Sequence, residues 1–248
     1  MGSVGKSASG PVASNVAYHE FAGSPGLNSS ETYAFFNDAN NTNQGDWENL
    51  ISGSKDGYNG MKDFTGSSYN GYFAKLYNTP WEKIPPEYRK KIAGLSNAIR
   101  NYELKQNIVV HRSTDFQIFG ASKSSNLSLG DLQSFEGKFL HNNSFLSTSA
   151  ANKGVAIQSS KVDLKIHVPA GKGWGAFVGK HGLSSLGTGE SEFLLNNNLW
   201  FKVGKTREKT NGKVEVDIYV VGRSSGQKFG SDAVTNGPAK SNSSGKKK

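Results

Sequence analysis

The first half of the chain follows a helical pattern of apolar and polar positions. The clearest helix is predicted from Pro86 to about Tyr102, where apolar side chains recur every three or four residues. Pro86 suits the first position of this helix because proline lacks the N–H that the helix leaves unbonded there. The same spacing predicts shorter helices over 31–36, 46–51 and 69–76.

The pattern changes to that of strands after residue 107. Residues 162–168 alternate between apolar and polar side chains up to a proline, and residues 213–219 alternate between charged and apolar ones. Further strands are predicted over 107–112, 145–148, 174–178, 190–195 and 199–205. A helical half followed by a strand-rich half predicts an α+β fold.

Composition divides the 248 residues into three parts. Residues 1–30 are rich in glycine, serine, alanine and proline, which is typical of a flexible leader. Residues 31–222 are expected to form a single domain, helical over 31–106 and strand-rich over 107–222. Residues 223–248 are rich in serine, glycine, lysine and asparagine, which predicts a disordered basic tail.

The charge balance leaves several kinds of partner open. Twenty-nine Lys and Arg residues against 20 Asp and Glu give a net charge of +9. This excess suits nucleic acid, a membrane surface or an acidic protein as a partner, but solubility together with attraction for a negatively charged cofactor is the favoured explanation. Because the charge clusters only at the terminal lysines 246–248, we expect no more than a weak nucleic-acid contact through the basic tail.

Other compositional features narrow the chemistry. The chain has no cysteine, which excludes disulfides, thiol catalysis and cysteine-based metal sites. The five histidines show no metal-ligand spacing, so no metal is expected. No stretch reaches the roughly 18 apolar residues that a transmembrane helix needs.

Two carboxylates lie at the start of the predicted strand 190–195. In an extended strand alternate side chains point to the same face, so Glu190 and Glu192 are expected on one side. Such pairs are a common way to build acid/base or cation-stabilising sites. By itself, however, the motif is short, and two solvated carboxylates at a strand edge are the better explanation of it.

Three segments together resemble the arginine-specific mono-ADP-ribosyltransferases of the Arg / Ser-Thr-Ser / Glu-x-Glu group. They follow the order of that family: Arg112 at a strand end, Ser147-Thr148-Ser149 after Phe145, and Glu190-Ser191-Glu192 before an apolar run. The resemblance covers roughly residues 63–221. It implies N-terminal helices and a two-sheet β-sandwich, with NAD bound in the cleft between the sheets.

The resemblance also implies which residues bind NAD. Arg112 would hold the phosphates, for which a planar guanidinium is well suited. Ser147 would orient the catalytic glutamate and the ribose on the nicotinamide side, while Thr148 and Ser149 would support the strand around the cofactor. Tyr69 would pack beside the dinucleotide.

The two glutamates would share the chemistry. By resemblance, Glu192 stabilises the positive charge on the ribose as nicotinamide leaves. Glu190 would align the acceptor and help to remove its proton. Family members with Gln at the position of Glu190 favour other acceptors, so this residue indicates arginine as the modified side chain.

The sequence therefore predicts an NAD-dependent enzyme that modifies arginine on a target protein. A soluble monomeric effector or toxin is expected, acting in a host-cell cytoplasm after secretion, injection or phage delivery. The alternative is a basic nucleic-acid-binding or structural module on a degenerate transferase fold. The aromatic residues lie mostly at apolar-periodic positions, which favours a core over a stacking surface, and the complete set of site residues argues against degeneration.

Overall fold

The predicted α+β fold is confirmed. A computed structural model describes residues 16–21, 30–65, 79–120, 127–151, 160–178 and 191–223. Most of its helices precede most of its strands. The predicted helix 69–76, with Tyr69, lies outside the described residues, as do Glu190 and the basic tail.

Five α-helices lie in the described part of the chain: α1 (Ser30–Asn37), α2 (Gln44–Gly53), α3 (Lys55–Thr65), α4 (Pro86–Arg100) and α5 (Leu129–Gln133). Pro86 is the first residue of α4, as its position in the pattern predicts. The sequence pattern did not indicate α3, because two glycines interrupt it. Those glycines let α3 lie against α4: a Cβ on Gly60 would come within 2.5 Å of the Lys91 carbonyl oxygen.

Ten strands follow the helical half: β1 (Glu103–Leu104), β2 (Ile108–Thr114), β3 (Phe139–Asn142), β4 (Leu146–Ser149), β5 (Val162–Val168), β6 (Gly171–Lys172), β7 (Gly175–Phe177), β8 (Glu192–Leu195), β9 (Leu199–Glu208) and β10 (Val214–Arg223). The predicted strand 162–168 matches β5, and six further predictions overlap β2, β4, β7, β8, β9 and β10. The short strands β1, β3 and β6 were not predicted.

Eight strands pair in the order β3-β9-β10-β5-β2-β4-β8-β7, while β1 and β6 form a separate two-stranded sheet. Strand β2 pairs with β4 through one residue pair, His111 with Ser149, whereas it pairs with β5 along all of its seven residues. The large sheet therefore consists of a five-stranded part, β3-β9-β10-β5-β2, and a three-stranded part, β4-β8-β7. We call the His111–Ser149 contact between them the junction.

Aromatic rings fix the helices on the three-stranded part. Phe36 of α1 stacks on Phe177 of β7, with 4.3 Å between ring centroids, and on Phe193 of β8, with 5.7 Å between centroids. All three side chains are fully or almost fully buried. Because Phe193 follows Glu192 directly, this packing also holds the start of β8 in place.

Residues 16–21 depart from the flexible leader that composition predicts for residues 1–30. The His19 N–H donates to the Asn107 carbonyl at 2.9 Å, and the His19 carbonyl accepts from the Val109 N–H at 2.9 Å. Phe21 is fully buried and forms a parallel bridge with Ala151. The segment 16–21 therefore pairs with the large sheet on both sides of the junction.

Candidate active site

Arg112 lies on β2, one residue beyond the junction. Its Nη1 donates a hydrogen bond to the Ser147 carbonyl oxygen at 2.5 Å, which ties the guanidinium to β4. Its Nε is buried and has no hydrogen-bond partner among the described residues. A buried, unpaired donor is costly, so it marks a place where an acceptor such as a phosphate oxygen would be stabilised.

The Ser-Thr-Ser triplet forms most of β4, as predicted. Ser147 supplies the carbonyl that accepts from Arg112. The buried Thr148 hydroxyl donates to the Phe193 carbonyl across β4 and β8. Ser149 Oγ accepts from the Ala151 N–H at 3.1 Å and shapes the turn that follows the strand. Two of the three side chains are thus used to fix the backbone, which leaves Ser147 as the hydroxyl with the greatest freedom for a ligand.

Glu192 is the first residue of β8 and is 7 % exposed. It lies directly opposite Ser149 in the antiparallel pair of β4 and β8, so both side chains are on the same face of the sheet. Its backbone carbonyl accepts from the Val178 N–H at 3.0 Å. A carboxylate this buried is held in one place rather than solvated at a strand edge.

The strand predicted from residue 190 begins two residues later. Ser191 has a left-handed backbone with φ of 46°, which a β-strand does not allow. The alternation argument that places both carboxylates on one face is therefore wrong at this residue. Glu190 itself lies outside the described residues, and so does the glycine-rich loop 179–189 that precedes it.

A row of side chains crosses the large sheet and ends at Glu192. Successive strands pair Asp217 with Lys165, Lys165 with His111, His111 with Ser149, and Ser149 with Glu192. Residues paired in this way point to the same face. We call these five residues the cross-sheet row; it links the proposed catalytic carboxylate to charged groups in the five-stranded part.

The segment 16–21 adds a further charged group, Glu20, beside this row. One oxygen of the Glu20 carboxylate lies 2.5 Å from Lys165 Nζ, and the other lies 3.4 Å from His111 Nε2. Burial lowers the pKa of His111, and the negative charge of Glu20 partly opposes that shift. The lowered pKa favours the neutral form of the His111 ring at pH 7. Glu20, which lies next to this ring, was not predicted from the sequence as part of the region. Residues 16–21 show no alternation of apolar and polar side chains, so no pattern in the sequence indicated this contact.

Five of the seven predicted site residues, Arg112, Ser147, Thr148, Ser149 and Glu192, lie on the adjacent strands β2, β4 and β8. By strand alternation Ser147, Ser149 and Glu192 share one face, whereas Arg112 and Thr148 start from the other, and the Arg112 guanidinium reaches β4 at the Ser147 carbonyl. Tyr69 and Glu190 stay predictions, because both lie outside the described residues. Among the residues that are described, no group of histidine and acidic side chains could hold a metal ion. Nor is any described helix long and apolar enough to cross a membrane.

A guanidinium, a serine and a buried carboxylate at the meeting point of two sheet parts can bind an anionic ligand and stabilise a positive charge next to it.

Comparison with solved structures shows the same fold in bacterial ADP-ribosylating toxins. Plx2a, an ADP-ribosyltransferase toxin from Paenibacillus larvae, is 19 % identical; the match covers 79 % of this chain and 98 % of that one, with a TM-score of 0.65. C3stau2 from S. aureus, solved with NAD, is 16 % identical over 82 % of this chain and 98 % of that one, with a TM-score of 0.61.

The C3 exoenzyme of Clostridium limosum is also similar, with 18 % identity over 83 % of this chain and 98 % of that one and a TM-score of 0.63. None of the curated protein sequences compared with the chain matches it. The fold is thus that of the bacterial ADP-ribosylating toxins. A model of the ADP-ribosyltransferase exoenzyme family matches residues 37–222, more than half of the chain, and the chain belongs to this family.

Proposed function

We propose that this protein transfers ADP-ribose from NAD to a side chain of a target protein and releases nicotinamide. The observation that supports this most directly is the buried Glu192 carboxylate opposite Ser149, next to the strand that presents Arg112. Family membership supports the same reaction class. The similarity to bacterial ADP-ribosylating toxins further supports a host protein as the target.

Glu192 would act on the charge that develops during bond cleavage. As the bond between the ribose and nicotinamide breaks, its electrons leave with nicotinamide and positive charge accumulates on the ribose. A carboxylate fixed beside that position stabilises the transition state more than the ground state. The acceptor nitrogen then forms the new bond to the ribose carbon and loses a proton. Ser147 would orient the carboxylate and the adjacent ribose.

Arg112 would bind the phosphates of NAD. Nη1 is used by the Ser147 carbonyl, whereas the buried Nε has no partner among the described residues, so it is a donor that an anion can satisfy. A guanidinium is the side chain best suited to phosphate oxygens. Tyr69 would pack beside the dinucleotide, a role that rests on the sequence resemblance alone.

The acceptor is proposed to be arginine. This finer assignment rests on Glu190, two residues before Glu192, since a carboxylate there would align a guanidinium and help to remove its proton. Neither the fold nor the family match distinguishes arginine from other acceptors, so the assignment needs its own experiment.

The reaction class is tested with Glu192→Gln, which keeps the size of the side chain and removes its charge. Nicotinamide release from NAD is expected to fall about 10²- to 10³-fold, the usual effect of losing one charge-stabilising group. Glu208→Gln, at the exposed end of β9, is the matched control and should release nicotinamide at the starting rate. If the starting protein neither releases nicotinamide nor labels any protein from labelled NAD, the proposal is wrong.

The acceptor is tested with Glu190→Gln and with agmatine, a small compound that has a guanidinium group. Glu190→Gln should still release nicotinamide but should no longer label agmatine or arginine side chains. Mass-spectrometric mapping of the modified residue on labelled lysate proteins gives the direct answer. Label mapped to another residue type in the starting protein would exclude arginine while leaving the reaction class intact.

A further inference from the structure

The site is assembled from two parts of the sheet that share little hydrogen bonding. Arg112 belongs to the five-stranded part, whereas Ser147 and Glu192 belong to the three-stranded part. Between strands β2 and β4 the structure has one residue pair, at the junction of His111 and Ser149. Besides the hydrogen bond from Arg112 to the Ser147 carbonyl, the relative position of Arg112 and Glu192 therefore depends on what else spans the two parts.

The segment 16–21 spans them. Its His19 pairs with Ile108 of the five-stranded part, and its Phe21 pairs with Ala151, two residues beyond β4. The Phe21 ring is fully buried against Phe35 and Phe36 of α1, with centroid distances of 5.0 and 5.6 Å. This burial makes the segment part of the core rather than a removable cover.

Between these two anchor points, Glu20 is directed at the junction itself. Its carboxylate lies between Lys165 Nζ and His111 Nε2, and His111 is the residue that pairs with Ser149. The carboxylate thus accepts a hydrogen bond from Lys165 and lies close to His111 Nε2, a buried atom that has no hydrogen-bond partner among the described residues. The family match begins at residue 37, so the segment that contributes this anion lies outside the matched region.

We propose that Glu20 is a positioning residue for the transferase site, which fixes His111 and thereby the placement of the Ser149–Glu192 strand pair relative to Arg112. This inference rests on the proposed function. Its physical basis is that a misplacement of about 1 Å at a reacting group can reduce a rate about 10²-fold. A contact that sets the spacing of two weakly joined sheet parts acts directly on that distance.

The proposal predicts a specific effect on turnover. Glu20→Gln should lower kcat for nicotinamide release about tenfold, with KM for NAD within twofold, because Arg112 keeps its bond to the Ser147 carbonyl while a small shift of Glu192 misaligns it with the reacting bond. Glu31→Gln is the matched control. Like Glu20, Glu31 is a glutamate close to a histidine, since its carboxylate lies 3.7 Å from His19 Nε2, but its ion-pair partner is not a member of the cross-sheet row. Its kcat and KM should both stay within twofold of the starting values.

A double-mutant cycle separates positioning from a general loss of structure. If Glu20 acts through His111, Glu20→Gln should change kcat less than twofold in a His111→Gln background, although it lowers kcat in the starting protein. NMR titration of His111 gives a readout that needs no activity. Since the Glu20 charge raises the pKa of His111 against the effect of burial, Glu20→Gln should lower that pKa further.

Three results would contradict a positioning role for Glu20, and two further results would point to a different explanation. An unchanged kcat in Glu20→Gln, an equal loss in both backgrounds, or an unchanged pKa of His111 would overturn the positioning role. A starting protein without any nicotinamide release would instead overturn the proposed function. A loss of kcat that disappears after correction for the folded fraction, measured from the same NMR spectra, would reduce Glu20 to a contributor to stability alone.

Discussion

Thr148, a predicted site residue, stabilises the backbone next to Glu192. Its hydroxyl donates to the Phe193 carbonyl, so it joins β4 to β8 one residue away from Glu192. Thr148→Val keeps the shape and leaves the buried carbonyl with one partner fewer. We expect a loss of about 1–2 kcal/mol in the free energy of unfolding, measured by urea denaturation. Thr114→Val, at a half-buried position on β2, is the control and should cost less than about 0.5 kcal/mol.

Asp217 is the charged residue at the far end of the cross-sheet row. Burial alone would raise the pKa of its carboxyl, but the hydrogen bond from His167 and the charge of Arg207 outweigh burial and lower it. A pKa below the unfolded value of about 3.9 means that the ionised group stabilises the fold above that pH. The contribution is lost as the pH falls through the folded-state pKa.

Asp217→Asn should therefore destabilise the protein at pH 7 and much less at low pH. We expect a loss of about 1–3 kcal/mol in the free energy of unfolding at pH 7, because His167 and Arg207 both lose a charged partner. Urea denaturation of both proteins at pH 7 and near pH 3 measures the difference. An equal loss at both pH values would show that the effect is one of shape rather than charge.

The elements differ in how far the sequence could predict them. Strand β5 was predicted with its true bounds because its alternation is unbroken and a proline follows it. Helix α3 was missed because propensity disfavours Gly57 and Gly60, whereas in the fold these glycines allow close contact with α4. The low helix propensity of these glycines argues against a helix, whereas their packing against α4 requires them. Because that packing exists only in the folded protein, the sequence pattern alone could not predict α3.

The α3–α4 contact predicts that the same change, glycine to alanine, lowers stability in α3 and raises it in α2. Gly60→Ala should gain helix propensity but force a Cβ to 2.5 Å from the Lys91 carbonyl oxygen, so we expect a net loss of about 1–3 kcal/mol. Gly45→Ala in α2 meets nothing within 4 Å and should raise stability by about 0.5 kcal/mol. Melting temperatures that shift in the same direction for both variants would contradict this packing.

On the scale of the molecule, the order of the site residues was predictable and their assembly was not. The ordered motifs predicted Arg112, Ser147 and Glu192 as site residues, and the structure places these three on adjacent strands. That β2 and β4 meet at one residue pair depends on strand order, which no local pattern encodes. The involvement of residues 16–21 depends on a contact more than 80 residues away in sequence, between His19 and Ile108.

Phe21 tests whether the folded domain includes this segment. The ring is fully buried in the main core, and a cavity in its place should cost about 3–5 kcal/mol in the free energy of unfolding for Phe21→Ala. Val16→Ala is the control within the same six residues; its side chain is 46 % exposed, so we expect a loss below about 0.5 kcal/mol. Urea denaturation measures both. If Phe21→Ala cost no more than Val16→Ala, the segment would lie on the domain as a loosely held strand, and the sheet junction would have to be stabilised by residues after 30. A large loss would show that the domain needs a segment from outside residues 37–222, the region that the family model matches.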